Sequence, residues 1–145
     1  MFIIHVGLIR IQWNKLLARE FTGPSRPGRK VGISGDTRPS KKLEIFFRDC
    51  DVLVFESTFI TPEKDNAIER FHSTALEASL LAKIAKVKKL ILTHFSSRYT
   101  NLKLIEMEAK KNFENIHIAH DYDVISVPYP EKELIKKNEG LEKIK

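Results

Sequence analysis

The sequence predicts an α/β fold, in which helices cover a sheet of short buried strands. Apolar runs of strand length occupy residues 51–56 and 88–93, and both are too short to form helices. Between them a helical pattern extends from Thr74 to about Ala85, so the second strand follows the helix almost without a loop. A helix that leads directly into a strand is typical of β-α-β units.

The N-terminal segment, residues 1–26, has an uncertain register. A short strand is expected over residues 2–6, followed by an amphipathic stretch in which Leu16 and Leu17 share a face with Trp13. The apolar start is too short for a membrane span and lacks the basic start and cleavage site of a signal peptide. We therefore expect a cytoplasmic protein that does not contact membranes.

Residues 21–29 form a predicted loop, because Pro fixes φ and Gly supplies positive φ. The loop carries Arg26 and Arg29, which either contact phosphate or are simply solvated. A short apolar strand then begins near Lys30 and leads into Asp36.

The next elements are a helix over residues 40–48, the buried strand with Glu56 at its tip, and a charged surface turn over residues 60–71. The following helix has an N-cap at Ser73 or Thr74, and Glu77 completes a capping-box pattern with Thr74. The apolar face of the first helix comprises Leu43, Phe46 and Phe47. That of the second comprises Leu76, Leu80, Leu81 and Ile84.

The C-terminal part predicts a further helix over residues 101–112 and two strands at 116–119 and 124–127. Acidic residues at 120–123 favour a hairpin turn between these strands. A charged tail, residues 129–145, is either a solvated helix or disordered. The helix is expected to have Asn101 as its N-cap and to bury Leu104 and Ile105.

Composition indicates one globular unit with a preference for anionic partners. The chain has 145 residues, 42% of them hydrophobic, and a net charge of +6 with a pI near 9.4. Such a charge either attracts phosphate or serves solubility. The single cysteine, Cys50, rules out an internal disulfide, fits a reducing compartment and is expected to be a small buried hydrophobe.

Several polar residues lie where predicted elements end. His94 follows the strand at 88–93, Asp36 follows the strand after Lys30, and His72 opens the helix that begins near Thr74. In α/β proteins, ligands collect at the carboxyl ends of strands because loops converge there. Taken singly, each residue could equally cap a turn or bind a neighbouring loop.

Four motifs at these positions resemble, in order and spacing, the C-terminal half of ribonuclease Z. That family comprises the tRNA 3′-processing endonucleases of the metallo-β-lactamase fold, and the resemblance covers roughly residues 27–128. It implies the C-terminal half of an αββα sandwich. The motifs are Ser34-Gly-Asp-Thr-Arg-Pro39, Phe55-Glu-Ser-Thr-Phe59, Phe71-His-Ser-Thr-Ala75 and Thr93-His-Phe-Ser-Ser-Arg-Tyr99.

The resemblance implies a role for each polar residue. Asp36 would bridge two Zn²⁺ ions and His94 would bind one of them. His72 would donate a proton to the leaving 3′-oxygen, and Glu56 would orient its imidazole. From their chemistry and position rather than from the resemblance, the residues that could bind phosphate or RNA are Arg98, Tyr99, Arg26 and Arg29, and the alternative is that these arginines are solvated surface residues.

The family signature His-x-His-x-Asp-His does not occur among the 145 residues. The first hypothesis is therefore an endoribonuclease for precursor tRNA that is inactive alone and needs the missing N-terminal half or a full-length relative. The second is a non-catalytic module that binds RNA or oligomerises, and the third is a truncated gene product. The resemblance also implies a homodimer.

Overall fold

A computed structural model describes residues 9–11, 14–16 and 28–129. Strands β1 (Ile9–Ile11) and β2 (Asn14–Leu16) pair antiparallel, with Ile9 opposite Leu16. Leu16, which was expected in an amphipathic stretch, lies in β2. The predictions for residues 2–6, for Trp13, Leu17 and Arg26, and for the tail from residue 130 onward lie outside the described residues.

Four strands form a parallel sheet in the order β3-β4-β5-β6. They are β3 (Val31–Ile33), β4 (Val52–Glu56), β5 (Leu90–Thr93) and β6 (Ile116–Ile118). Because all neighbouring pairs are parallel, their carboxyl ends meet at one edge of the sheet. The strands predicted around residues 51–56 and 88–93 are confirmed.

The helices are α1 (Lys41–Phe46), α2 (Lys64–Glu69), α3 (Ala75–Ile84) and α4 (Lys103–Lys110). Helix α3 starts with the predicted capping box, in which the Thr74 hydroxyl accepts from the Glu77 backbone and the Glu77 carboxylate accepts from the Thr74 backbone. This local signal is confirmed because both partners lie within one turn.

The predicted apolar faces of the helices needed correction. Phe46 is 70% exposed, whereas Phe47, just beyond the end of α1, is 2% exposed and lies in the core. In α3 the predicted Leu80 and Ile84 are exposed, as is Leu104 in α4. Helix α3 packs against both β4 and β5, and small side chains allow this close approach. The buried residues of α3 are Ala75, Ala78, Ser79, Leu81 and Ala82.

Two segments have a different type of secondary structure from the one predicted. The expected surface turn at residues 60–71 contains a 3-10 helix (Thr61–Glu63), favoured by Pro62 in its first turn, and then α2. The expected hairpin after residue 116 is absent from the described residues, since 124–129 form no strand and β6 pairs with β5 instead. The turn at 120–123 is closed by Asp123, whose carboxylate accepts from the His120 backbone at 2.9 Å.

The core lies between the sheet and helices α3 and α4. Its largest side chains include Phe47 and Phe55, whose rings meet edge to face at 6.2 Å. Cys50 is buried there, as predicted, and burial raises the pKa of its thiol. None of the helices in the described part of the chain is long and apolar enough to cross a membrane.

Candidate active site

The carboxyl edge of the parallel sheet collects the polar residues that end its strands. Glu56 is the last residue of β4, His94 follows β5 directly, and Asp36 follows β3 by three residues. His72 does not follow a strand: it lies two residues before Thr74, the N-cap of α3. The parallel register therefore places groups that are far apart in sequence at the same edge.

A left-handed backbone conformation occurs at His94 and directly before Asp36 and His72. Gly35, directly before Asp36, has φ 65°, Phe71, directly before His72, has φ 59°, and His94 itself has φ 55°. Glycine adopts this conformation freely, whereas for Phe71 and His94 it is strained. Strain of this kind is typical of functional sites, where the surrounding structure holds a side chain in a required position.

Asp36, His72 and His94 form the group of possible metal ligands in the described part of the chain. Their ligand atoms lie within 4.8 Å of one another. His94 Nδ1 is 3.6 Å from Asp36 Oδ1, and the two imidazole rings are 5.1 Å apart at 30°. One carboxylate and two imidazoles are donors that Zn²⁺ and other transition metals accept, so this set fits a metal ion.

Glu56 lies beneath this cluster and is only 2% exposed. Its Oε1 accepts from His72 Nδ1 at 3.0 Å and from the Thr37 backbone at 2.7 Å. Its Oε2 accepts from the backbone of Ser73 at 3.1 Å. The structure thus brings the predicted orienting residue and the predicted proton donor into direct contact.

Thr58 is a site residue that sequence reasoning missed. Its hydroxyl donates to Glu56 Oε2 at 2.7 Å and also lies 2.7 Å from His94 Nδ1. The available signal was its place two residues after Glu56 in the second motif, since alternate residues of extended chain point to the same side.

Arg38 is a second residue that the sequence did not single out. Its guanidinium donates to both carboxylate oxygens of Glu77, at 2.9 and 2.5 Å, and to the backbone oxygen of His72 at 2.6 Å. Burial alone would raise the pKa of Glu77, but hydrogen bonds from Arg38 and from the Thr74 backbone outweigh it and lower that pKa below its usual 4.5. The turn that carries His72 is thereby tied to the start of α3.

Among the residues predicted to bind phosphate, Arg98, Tyr99 and Arg29 lie in the described part of the chain and have partners within it. Arg98 pairs with Glu63 at 2.7 Å and lies over the Phe59 ring at 5.0 Å. The Tyr99 hydroxyl accepts from the Ile60 backbone at 3.2 Å. Arg29 lies 3.6 Å from Asp51.

Comparison with known proteins supports the resemblance to ribonuclease Z. No protein-family model matches the chain. It is 52% identical over 99 residues to Ribonuclease Z of Nitrosopumilus maritimus. The matched segment covers 68% of this chain and 33% of that protein. Across curated relatives of the same name, the chain spans 33% to 37% of their length, about a third.

Solved structures agree with the sequence relatives. Human tRNase Z, short form (ELAC1), is similar with a TM-score of 0.56 and 32% identity over 70% of this chain and 34% of that one. The metallo-beta-lactamase fold protein YhfI from Bacillus subtilis is similar with a TM-score of 0.57 and 27% identity, over 61% of this chain and 36% of that one. Over the residues that it shares with these proteins, the chain therefore belongs to the ribonuclease Z family and has the metallo-β-lactamase fold.

Proposed function

We propose that this chain supplies part of the active site of a zinc-dependent endoribonuclease that processes the 3′ ends of precursor tRNA. The observation that carries the proposal is the convergence of Asp36, His72 and His94 within 4.8 Å at the carboxyl edge of the sheet. The relatives named Ribonuclease Z and the likeness to human tRNase Z support the substrate class. The net charge of +6 is consistent with an RNA partner.

Asp36 and His94 are the residues that would hold zinc. A carboxylate can bridge two metal ions through its two oxygens, and an imidazole binds one through a ring nitrogen. When bound, zinc lowers the pKa of water and stabilises charge on a phosphodiester. In this chain both side chains are accessible at the sheet edge, where a substrate could reach them.

His72 would act on the leaving group rather than on the metal. Its Nδ1 donates to Glu56 at 3.0 Å, which holds the ring in one orientation, and in the doubly protonated imidazolium Nε2 carries the proton that can be transferred. A positioned imidazole can donate a proton to a departing 3′-oxygen near neutral pH. Glu56 acts as the residue that orients it.

The chain alone would be a poor catalyst. Catalytic zinc normally takes three protein ligands plus water, and only Asp36 and His94 are assigned as ligands here. The histidine-rich motif of the family is absent from the sequence. Residues that bear this motif, wherever they are encoded, would complete the metal set. A reducing cytoplasmic location would suit the unpaired, buried Cys50.

The test is complementation with a separately produced fragment that contains the His-x-His-x-Asp-His motif of a relative. Chain and fragment together should cleave precursor tRNA, whereas the chain alone should bind zinc weakly and cleave negligibly. His94→Ala should abolish the restored cleavage, and His120→Ala, at an exposed histidine of the 120–123 turn, should not. Vigorous cleavage by the chain alone, with tightly bound zinc, would overturn the proposal.

A non-catalytic module that binds RNA or oligomerises is the second candidate. Exposed apolar residues on β3 and α1 favour it, because Ile33 is 71% exposed and Phe46 is similarly accessible. Complementation separates the two candidates, since such a module would bind tRNA or itself but would restore no cleavage.

A further inference from the structure

The Thr58 hydroxyl occupies a position between two groups of the candidate site. It is 2.7 Å from Glu56 Oε2 and 2.7 Å from His94 Nδ1, and Thr58 is only 7% exposed. A hydroxyl has a single proton to donate but two lone pairs with which to accept. Only one of these two short contacts can therefore use the Thr58 proton.

The surroundings of Glu56 decide which contact it is. An ionised carboxylate can only accept, and Glu56 already accepts from the backbone of Thr37, Thr58 and Ser73 at 2.7 to 3.3 Å. The Thr58 hydroxyl therefore donates to Glu56, and its lone pair accepts from Nδ1–H of His94. Asp36 Oδ1 lies 3.6 Å from the same nitrogen, too far for a hydrogen bond, although its charge also favours a proton there.

We infer that Thr58 is a positioning residue that holds the neutral His94 imidazole as the Nδ1–H tautomer and leaves Nε2 as the nitrogen free to bind a metal. Glu56 then sets both rings, His72 through a direct hydrogen bond and His94 through Thr58. The use of Nε2 as a ligand rests on the proposed function, whereas the tautomer does not. In the opposite tautomer, Nε2 carries the proton and Nδ1 accepts a hydrogen bond from the Thr58 hydroxyl. Only Nδ1 would then have a lone pair for a metal, and Thr58 would already occupy it.

The tautomer can be measured without metal. Imidazole ¹⁵N chemical shifts of the full chain, freed of metal with a chelator, distinguish protonated from unprotonated nitrogens at about pH 8.5, where histidines are usually neutral. For wild type we expect His94 Nδ1 at the protonated position and Nε2 at the unprotonated one. This wild-type spectrum requires no variant to fold, and the Nε2–H tautomer in it would overturn the inference.

Two variants test whether Thr58 is the cause. Thr58→Val keeps the shape but removes the hydroxyl, and it should shift His94 toward the Nε2–H tautomer. Thr58→Ser retains the hydroxyl and should restore the wild-type spectrum, while the exposed His120 should be the same in all three proteins. An unchanged His94 tautomer in folded Thr58→Val would contradict the role assigned to Thr58.

Zinc affinity of the complex with the motif-bearing fragment gives a second readout. Loss of a group that orients a metal ligand typically costs about 10- to 100-fold in affinity, so Thr58→Val should bind zinc that much more weakly and Thr58→Ser nearly as wild type. Wild-type affinity in Thr58→Val would overturn the inference. A wild-type complex that shows the Nδ1–H tautomer but binds no zinc would instead refute the proposed function and leave the assignment of Thr58 standing.

Discussion

Gly32 lies directly against the ring of Phe47, so this position in β3 has no room for a side chain. A Cβ atom there would lie 2.5 Å from Phe47 Cδ1, 2.9 Å from Cε1 and 3.1 Å from Leu53 Cδ1. Real Cβ atoms essentially never come within 3.0 Å of such a neighbour, and the ring belongs to the most buried part of the core. Phe47 would have to leave its position to admit even a methyl group.

Gly32→Ala should therefore lower the free energy of unfolding by about 1 to 3 kcal/mol, the usual cost of overpacking a core. Chemical denaturation measures this directly. Gly28→Ala is the matched control, because nothing lies within 4 Å of a Cβ at that position. Equal stability of the two variants would show that β3 does not pack on Phe47 in this way.

The site residues that could be identified from the sequence are those at the ends of predicted helices and strands. Asp36, Glu56, His72 and His94 lie at or next to the ends of predicted elements, so their placement could be expected from the motifs. The roles of Thr58 and Arg38 depend on which atoms face each other across 36 and 34 residues of chain. No local pattern contains that information.

At the level of elements, the ion pair between Arg38 and Glu77 ties the start of α3 to the turn that carries His72. The pKa of Glu77 is lowered in the folded protein, so this carboxylate stabilises the fold above its usual pKa of 4.5. The contribution is lost as the pH falls through the lowered folded value. Acidification should therefore weaken the start of α3.

Glu77→Gln should be destabilised near neutral pH by about 1 to 3 kcal/mol, the usual worth of hydrogen bonds to a charged group. As the pH falls below 4.5, the difference from wild type should shrink, because wild type loses the same interaction. Unfolding free energies across this range measure the effect, with exposed Glu69→Gln as the control. A difference that stays constant down to the most acidic pH would contradict the account.

Elements with local signals were predicted, and those with distant partners were not. The Thr74 capping box and the apolar strands β4 and β5 depend on neighbours in sequence. The parallel pairing of β6 with β5 joins residues about 26 positions apart, for example Leu90 with Ile116, and a hairpin was expected in its place. Helix α2 was missed because it is short and most of its residues are exposed.

At the level of the whole molecule, strand β3 is an edge of the described sheet and carries exposed apolar side chains. Val31 and Ile33 are exposed along β3, and Ile45 and Phe46 are exposed on α1. An apolar edge of this kind tends to pair with another chain. We therefore expect the protein to self-associate.

Sedimentation of the purified chain at micromolar concentration tests this expectation. The double variant Ile33→Lys, Phe46→Lys should shift the protein toward monomer, whereas Ile84→Lys, at an exposed position of α3, should not. A wild-type monomer over the whole concentration range would rule out association through β3 and α1.

Binding of tRNA should depend steeply on salt, because the chain carries a net charge of +6. If Arg29 and Arg98 bind phosphate, replacing either by Ala should reduce the salt slope by about 1, since one phosphate fewer is neutralised. Arg98 would have to exchange Glu63 for the phosphate. Lys110→Ala is the control, since Lys110 pairs with Glu106 within α4. An affinity for tRNA that does not change with salt concentration would contradict the presence of a phosphate-binding surface.

The most direct test of the central claim compares His72→Ala with His94→Ala in the complex with the motif-bearing fragment. The geometry places both imidazoles near Asp36, but His94 is assigned as a metal ligand and His72 as a proton donor. We expect His94→Ala to lose both bound zinc and cleavage of precursor tRNA. His72→Ala should keep the zinc content of wild type while cleavage falls by about 100-fold or more, the usual contribution of a positioned general acid. Loss of zinc from His72→Ala in parallel with His94→Ala would contradict these assignments and make His72 a ligand.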